Sequence, residues 1–148
     1  MSAVEEGGLI VITMRDVMTH RLVTIGPETS CDEARRLMDE HRIRHLPVVA
    51  EGRLVGMLSD RDVRSAAARA SGIAVGKVMT PDPVMVAPKT RVEHAARAML
   101  ARRFGALPVV DDGALVGIVT YTDLLEALVQ VIETATQERI AVDFAGDR

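Results

Sequence analysis

The sequence predicts a mixed α/β (α+β) fold, two tandem β-α-β-β-α units packed about a pseudo-two-fold axis. Three observations carry this. The chain repeats itself at an offset of 61 residues, Val17 on Val78, with no gap from Val17 to Val63. Each copy holds one apolar face at helical spacing. Each also holds two Val- and Leu-rich runs separated by an acidic residue and a glycine, a hairpin signal. A unit of this size buries little surface alone, so the copies are expected to cover each other.

Residues 1–13 precede the repeat. They contain Glu5, Glu6 and a short apolar run from Leu9 to Ile12, without the basic start and long apolar stretch of a signal peptide. The first copy is placed at 14–70 and the second at 71–130. Each begins with an extended segment, Leu22 to Ile25 or Val84 to Val86, followed by Pro27 or Pro88. Thr29 or Thr90 then starts a helix, with Asp32 or Glu93 at capping-box spacing; Ser30 with Glu33 is a rival start. These helices are expected over Asp32 to Arg42 and Glu93 to Arg103, with Ala34, Leu37, Met38 and His41 on the buried face.

The hairpin follows. Pro47-Val48-Val49 turns at Glu51-Gly52 into Leu54 to Leu58, and the second copy turns at Asp112-Gly113. A second helix begins near Ser59 or Thr120. In copy one the Ala-rich stretch from Arg64 to Gly76 is read as finishing that helix, with Gly72 and Gly76 near its end. In copy two, Leu124, Leu125, Leu128, Ile132 and Ala135 trace an apolar face along a long last helix. Residues 131–148 are read as its end and a tail.

Composition excludes several functions. Of 148 residues, 48% are hydrophobic but only 2% aromatic, which argues against readers of nucleic-acid strands that stack bases on aromatic rings. A net charge of −3 provides no general field for nucleic acid or an anionic membrane. No apolar stretch approaches the ~18 residues that span a bilayer. Cys31 is the single cysteine, so no intramolecular disulfide forms, and a cytoplasmic location is expected. His20, His41, His45 and His94 lack metal-ligand spacing, and no nucleophile elbow or phosphate-binding glycine loop occurs. The chain reads as a non-enzyme with no metal.

The informative segments are Gly56-Met-Leu-Ser59-Asp-Arg61-Asp62 and Gly117-Ile-Val-Thr120-Tyr-Thr122-Asp123. Each sets a hydroxyl at a helix start and a carboxylate three residues on. One reading is a capping box, complete without a ligand. The other uses the free N–H groups and partial positive charge of the helix start to hold a phosphate, with the carboxylate accepting from ribose hydroxyls.

These motifs, with Asp16-Val-Met-Thr19, Lys77-Val-Met-Thr80 and the two Leu-Pro-Val-Val strands, resemble a tandem pair of CBS domains (a Bateman module) over roughly Met14 to Leu128. No separate catalytic domain is left over, as in a stand-alone CBS protein. The resemblance implies a regulatory module that binds AMP, ADP or ATP between its copies, more rarely S-adenosylmethionine or NAD, with no required cofactor. It also implies a homodimer and an unidentified regulated protein. Carried over, Ser59 and Asp62 hold phosphate and ribose at site one, and Thr120 and Asp123 do so at site two. The adenine is framed by Thr24, Ile25, Arg44, His45 and Leu46, or by Met85, Val86, Gly105, Ala106 and Leu107. Ile25 and Leu46 would sandwich the base. The alternative is a structural dimerisation or scaffold module with vestigial sites.

The copies differ in charge. Arg44, His45, Arg53 and Arg61 stand where copy two has Gly105, Ala106, Ala114 and Thr122, so site one is expected to take the more highly charged nucleotide, with Arg61 on phosphate. Tyr121, in place of Asp60, is either a surface residue or a packing contact for a ligand at site two.

Overall fold

The computed structural model describes residues 4–6 and 9–146, with side-chain surroundings for 11–137. The described residues open with β1 (Val4–Glu6) and β2 (Leu9–Val11), an antiparallel pair with Val4 opposite Val11. A single helical turn, α1 (Met14–Val17), follows.

Copy one then runs through α2 (Cys31–His41), β3 (His45–Ala50), β4 (Arg53–Ser59) and α3 (Asp60–Arg69). Ser30, not Thr29, caps α2, its side chain accepting from the Glu33 N–H. The Ala-rich stretch after Arg64 finishes α3 early, three residues before Gly72. The helix ends at Arg69, Gly72 takes φ +74, and a short 3-10 turn spans Val75–Lys77. Copy two runs through β5 (Thr80–Pro81), α4 (Val92–Arg102), β6 (Ala106–Asp111), β7 (Ala114–Thr120) and α5 (Tyr121–Gly146). Here Thr90 does not cap the helix. Its hydroxyl accepts from the Ala87 N–H at 3.0 Å, which closes the turn before Arg91, the residue from which α4 departs.

Both hairpins are antiparallel and share one bulge, at Val48/Val49 and Val109/Val110. Both turn residues have positive φ, Glu51 (+50) with Gly52 (+74) and Asp112 (+49) with Gly113 (+80), the condition for a two-residue hairpin loop that follows strand twist. The expected first strands shrink to single parallel bridges, Ile25 to Val48 and Val86 to Val109.

The copies exchange their opening segments. Val75, Val78 and Met79, which begin copy two, pack in the core of copy one with Met38, Leu46 and Leu58. Met14 and Met18, which begin copy one, pack in the core of copy two with Met99, Leu107 and Val119. Thr80 accordingly pairs with Met57 on β4, and Thr19 pairs with Ile118 opposite on β7. Gly56 and Gly117 mark these crossings. A Cβ on Gly117 would lie 2.7 Å from the Met18 sulfur, and one on Gly56 would meet the Met79 sulfur and lie 3.0 Å from the Thr80 carbonyl oxygen.

Strand alternation then separates two layers. Leu58 and Val119 point into the cores, while their neighbours Met57 and Ile118 join Ala106 and Leu22 in a small apolar cluster where the copies meet. Burying a Leu or Met side chain in this way stabilises by about 1.5–3 kcal/mol.

Candidate functional site

Each hairpin delivers its last strand directly into a helix, and both helix starts are closed by the reciprocal bonds the spacing suggests. Ser59 donates its N–H to Asp62 Oδ2 at 2.9 Å and its Oγ accepts from the Asp62 N–H at 3.2 Å. Thr120 donates its N–H to Asp123 Oδ2 at 2.9 Å, and its Oγ1 accepts from the Asp123 N–H at 3.4 Å. Local capping chemistry explains these bonds without a ligand.

What capping does not explain is where the two helix starts open. Each faces a cleft between the copies. Cleft one, about 450 Å³, contains Ser59, Arg61 and Asp62 from copy one and Thr80, Val84 and Phe104 from copy two. Cleft two, about 620 Å³, contains Thr120, Tyr121 and Asp123 from copy two and Thr19, Val23 and Ile43 from copy one. Both volumes lie within the ~300–1,000 Å³ usual for small-molecule sites. Thr19 and Thr80, Val23 and Val84, Ile43 and Phe104 are repeat counterparts, so the clefts obey the pseudo-two-fold.

The clefts share a wall. Arg44, His45, Gly105 and Tyr121 line both. Arg44 and Gly105 are held beside the helix starts because their carbonyls accept from the N–H groups of Asp60 (2.9 Å) and Tyr121 (3.3 Å). Glycine at 105 leaves room for the imidazole of His45, whose Nε2 would lie 2.9 Å from an added Cβ. Burial pushes the His45 pKa down; Asp60 and Asp62 pull it up, and Arg44 adds to the lowering.

Of the sixteen residues expected at the sites, Arg44, His45, Ser59, Arg61, Asp62, Gly105, Ala106, Thr120, Tyr121 and Asp123 line a cleft. Six line neither. Leu46, Leu107 and Ile25 are buried in the cores, Val86 is half-buried on the bridge to Val109, and Thr24 and Met85 are exposed. The strand alternation that buries Leu46 beneath α2 removes it, with Ile25, from any cleft. Their place as apolar walls is taken by Val23 and Ile43 in cleft two and by Val84 and Phe104 in cleft one. Because each opening segment crosses over, a helix start meets the walls of the opposite copy. The pairs Thr19/Thr80, Val23/Val84 and Arg42/Arg103 recur at the repeat offset and could have been flagged on that ground. Arg53 stands exposed in the hairpin turn, away from both clefts.

Among the described residues, no cluster of three or more His, Cys, Asp or Glu could hold a metal ion, and no helix is long and apolar enough to cross a membrane.

The CBS domain family matches twice, over residues 14–69 and 75–130. This chain belongs to the CBS-domain family. The CBS domain-containing protein YhcV of Bacillus subtilis is 36% identical over 115 residues, 76% of this chain and 82% of that protein. Inosine-5'-monophosphate dehydrogenase of Korarchaeum cryptofilum is 40% identical over 104 residues, but the match covers 70% of this chain and only 21% of the enzyme. Among solved structures, CBSX2 in complex with AMP superposes with a TM-score of 0.71 and 38% identity, covering 80% of this chain and 97% of that one. The CBS domain pair of protein MJ0100, in complex with 5'-methylthioadenosine and S-adenosyl-L-methionine, superposes with a TM-score of 0.75 and 30% identity, covering 80% and 96%. The tandem CBS pair and the mixed α/β architecture expected from the repeat are therefore both present.

Proposed function

We propose that this CBS pair is a non-catalytic regulatory module that binds adenine nucleotides in the two clefts between its copies. The observation that carries the reading is the placement of both capped helix starts, with Ser59 and Thr120, at inter-copy clefts bordered by arginines and apolar walls. A helix start offers N–H groups and positive potential to a phosphate, and arginine adds a planar fork of donors. Asp62 and Asp123 accept ribose hydroxyls, and the Val/Ile and Val/Phe walls enclose the base. The AMP complex of CBSX2 and the methylthioadenosine and S-adenosyl-L-methionine complex of MJ0100 support adenosyl ligands for this chain too. A ligand touching both copies favours one packing of the copies over another and so transmits its presence, to the extent that its affinity differs between those states.

The regulated partner in this reading is a second protein or a second copy of the chain. A homodimer is supported by the exposed apolar row Leu125, Leu128, Val129 and Ile132 on α5. The free thiol of Cys31, buried in the copy-one core, accords with a reducing, cytoplasmic setting.

The deciding experiment is thermal unfolding of the full chain with AMP, ADP, ATP, S-adenosylmethionine and NAD, with inorganic phosphate as control. A specific ligand raises Tm in proportion to the logarithm of its concentration. No response to any of them supports the scaffold reading, which the complete capping boxes already allow.

A further inference from the structure

Charge is divided unequally between the clefts, and not in the way the residue exchanges between the copies suggest. Arg44, which with Arg53 and Arg61 distinguishes copy one from copy two, lines both clefts, and Arg53 lines neither. Cleft one holds Arg44, Arg61 and Arg103 against two carboxylates, Asp60 and Asp62. Cleft two holds Arg21, Arg42 and Arg44 against one, Asp123. The counterpart of Arg21 is Asp82 and that of Asp60 is Tyr121, so both exchanges make cleft two the more positive.

The carboxylates differ as well. Asp123 is engaged at both oxygens, Oδ1 accepting from Thr19 Oγ1 at 3.0 Å and Oδ2 accepting from the Thr120 N–H and hydroxyl. Asp62 accepts the Ser59 N–H at Oδ2, and among the described residues no hydroxyl occupies its Oδ1. Cleft one thus presents an open acceptor to a sugar diol. Cleft two presents more cation, a carboxylate already in use, and about 620 Å³ against about 450 Å³.

From these differences we infer that cleft two selects a nucleotide with a polyphosphate tail, and that cleft one selects one with a single phosphate. The inference rests on the nucleotide-binding reading and assigns a ligand class to each site. Arg21 and Arg61 are the residues that set the preference, because each lines one cleft only and its repeat counterpart, Asp82 or Thr122, is not a cation. Three guanidinium groups against one carboxylate suit the three to four charges of a triphosphate, whereas in cleft one Asp62, with Asp60 shared with Arg64 at 3.3 Å, repels those charges.

The test is calorimetric titration of the full chain with ATP and with AMP at fixed ionic strength, in wild type, Arg21→Ala and Arg61→Ala. Both substitutions fall on exposed side chains, so folding is preserved. Losing one charge-assisted phosphate contact weakens binding by about tenfold. The ratio of ATP to AMP affinity is expected to fall by about tenfold in Arg21→Ala and to rise in Arg61→Ala. If the ratio moves in the opposite sense, or moves equally in both variants, the assignment is overturned while nucleotide binding stands. If wild type binds neither ligand, the nucleotide reading itself fails, and the assignment with it.

Discussion

Thr19 donates a 3.0 Å hydrogen bond from Oγ1 to Asp123 Oδ1, joining positions 104 residues apart across the mouth of cleft two. Its repeat counterpart Thr80 makes no such bond to Asp62 among the described residues, although Thr80 lines cleft one. In the proposed function a ribose entering cleft two competes with Thr19 for Asp123, and one entering cleft one meets no such rival. Thr19→Val removes the competitor. AMP affinity at cleft two is expected to rise severalfold, read by calorimetry. The stability loss is at most about 1 kcal/mol, because the bond is exposed. Unchanged or weaker AMP binding would count against Asp123 as a ribose acceptor.

The two clefts carry a matched pair of strained arginines. Arg42 (φ 54, ψ 45) and Arg103 (φ 56, ψ 37) end α2 and α4 in the left-handed region, where helices usually place glycine. Such a conformation costs an L-residue about 1–2 kcal/mol, of which glycine returns part as unfolded-chain entropy. Arg42→Gly is therefore expected to raise stability in urea by about 0.5–1 kcal/mol while weakening ATP binding. Loss of stability would mean that the Arg42 side chain contributes packing that outweighs the strain.

Gly117→Ala tests the crossing of the opening segments. The added carbon would lie 2.7 Å from the Met18 sulfur and 3.2 Å from the Thr19 carbonyl oxygen, so the Met18 side chain must turn aside and the carbonyl must give by a few tenths of an ångström. Overpacking of this kind costs about 1–3 kcal/mol in denaturant unfolding. Gly26→Ala, whose nearest foreign atom is 3.4 Å away, is the control and should stay within about 0.5 kcal/mol of wild type.

His45 makes stability depend on pH. Burial lowers its folded pKa below the ordinary value near 6.5, so on acidification the unfolded chain takes up the proton first. The His45 contribution is fully present above about pH 6.5 and is lost as pH falls from there through the lower folded value. Asp60 and Asp62, which pull the other way, narrow that window. Unfolding measured from pH 7.5 to 5 should show a decline that His45→Gln flattens. Equal slopes in both proteins would exclude His45 as the source.

The apolar row on α5 gives a test of the proposed homodimer. Leu125, Leu128 and Ile132 are between 54% and 61% exposed, too much apolar surface on one helix to be accounted for by its own fold. Leu128→Glu is expected to convert a dimer to a monomer in sedimentation without lowering Tm by more than a few degrees. A wild-type chain that sediments as a monomer at all concentrations would overturn the dimer.

Much of this architecture is written locally. The 61-residue repeat, the helical spacing of Ala34 and Met38, the Asp112-Gly113 turn and the hydroxyl-x-x-carboxylate boxes are short-range signals, because capping, turn geometry and side-chain period act over three to seven residues. They determine two copies of one unit and where each hairpin meets its second helix. Thr29 and Ser30 show the limit of such signals. Both have a suitable acid three residues on, and the choice falls to Ser30, whose neighbour Cys31 is drawn into the core and donates its N–H to Ile73.

Only the tertiary structure decided how the copies are wired together. Met14 and Val75 are equivalent in the repeat and each is fully buried in the other copy's core, a pairing that no local pattern specifies. That exchange brings Val23 and Ile43 to Thr120, and Val84 and Phe104 to Ser59, while Ile25 and Leu46, close to the motif in sequence, are buried away from it. The physical reason is burial across the interface. A 60-residue unit cannot cover its own strands, so each lends its first segment to the other, and the clefts form where the two exchanged segments pass the helix starts.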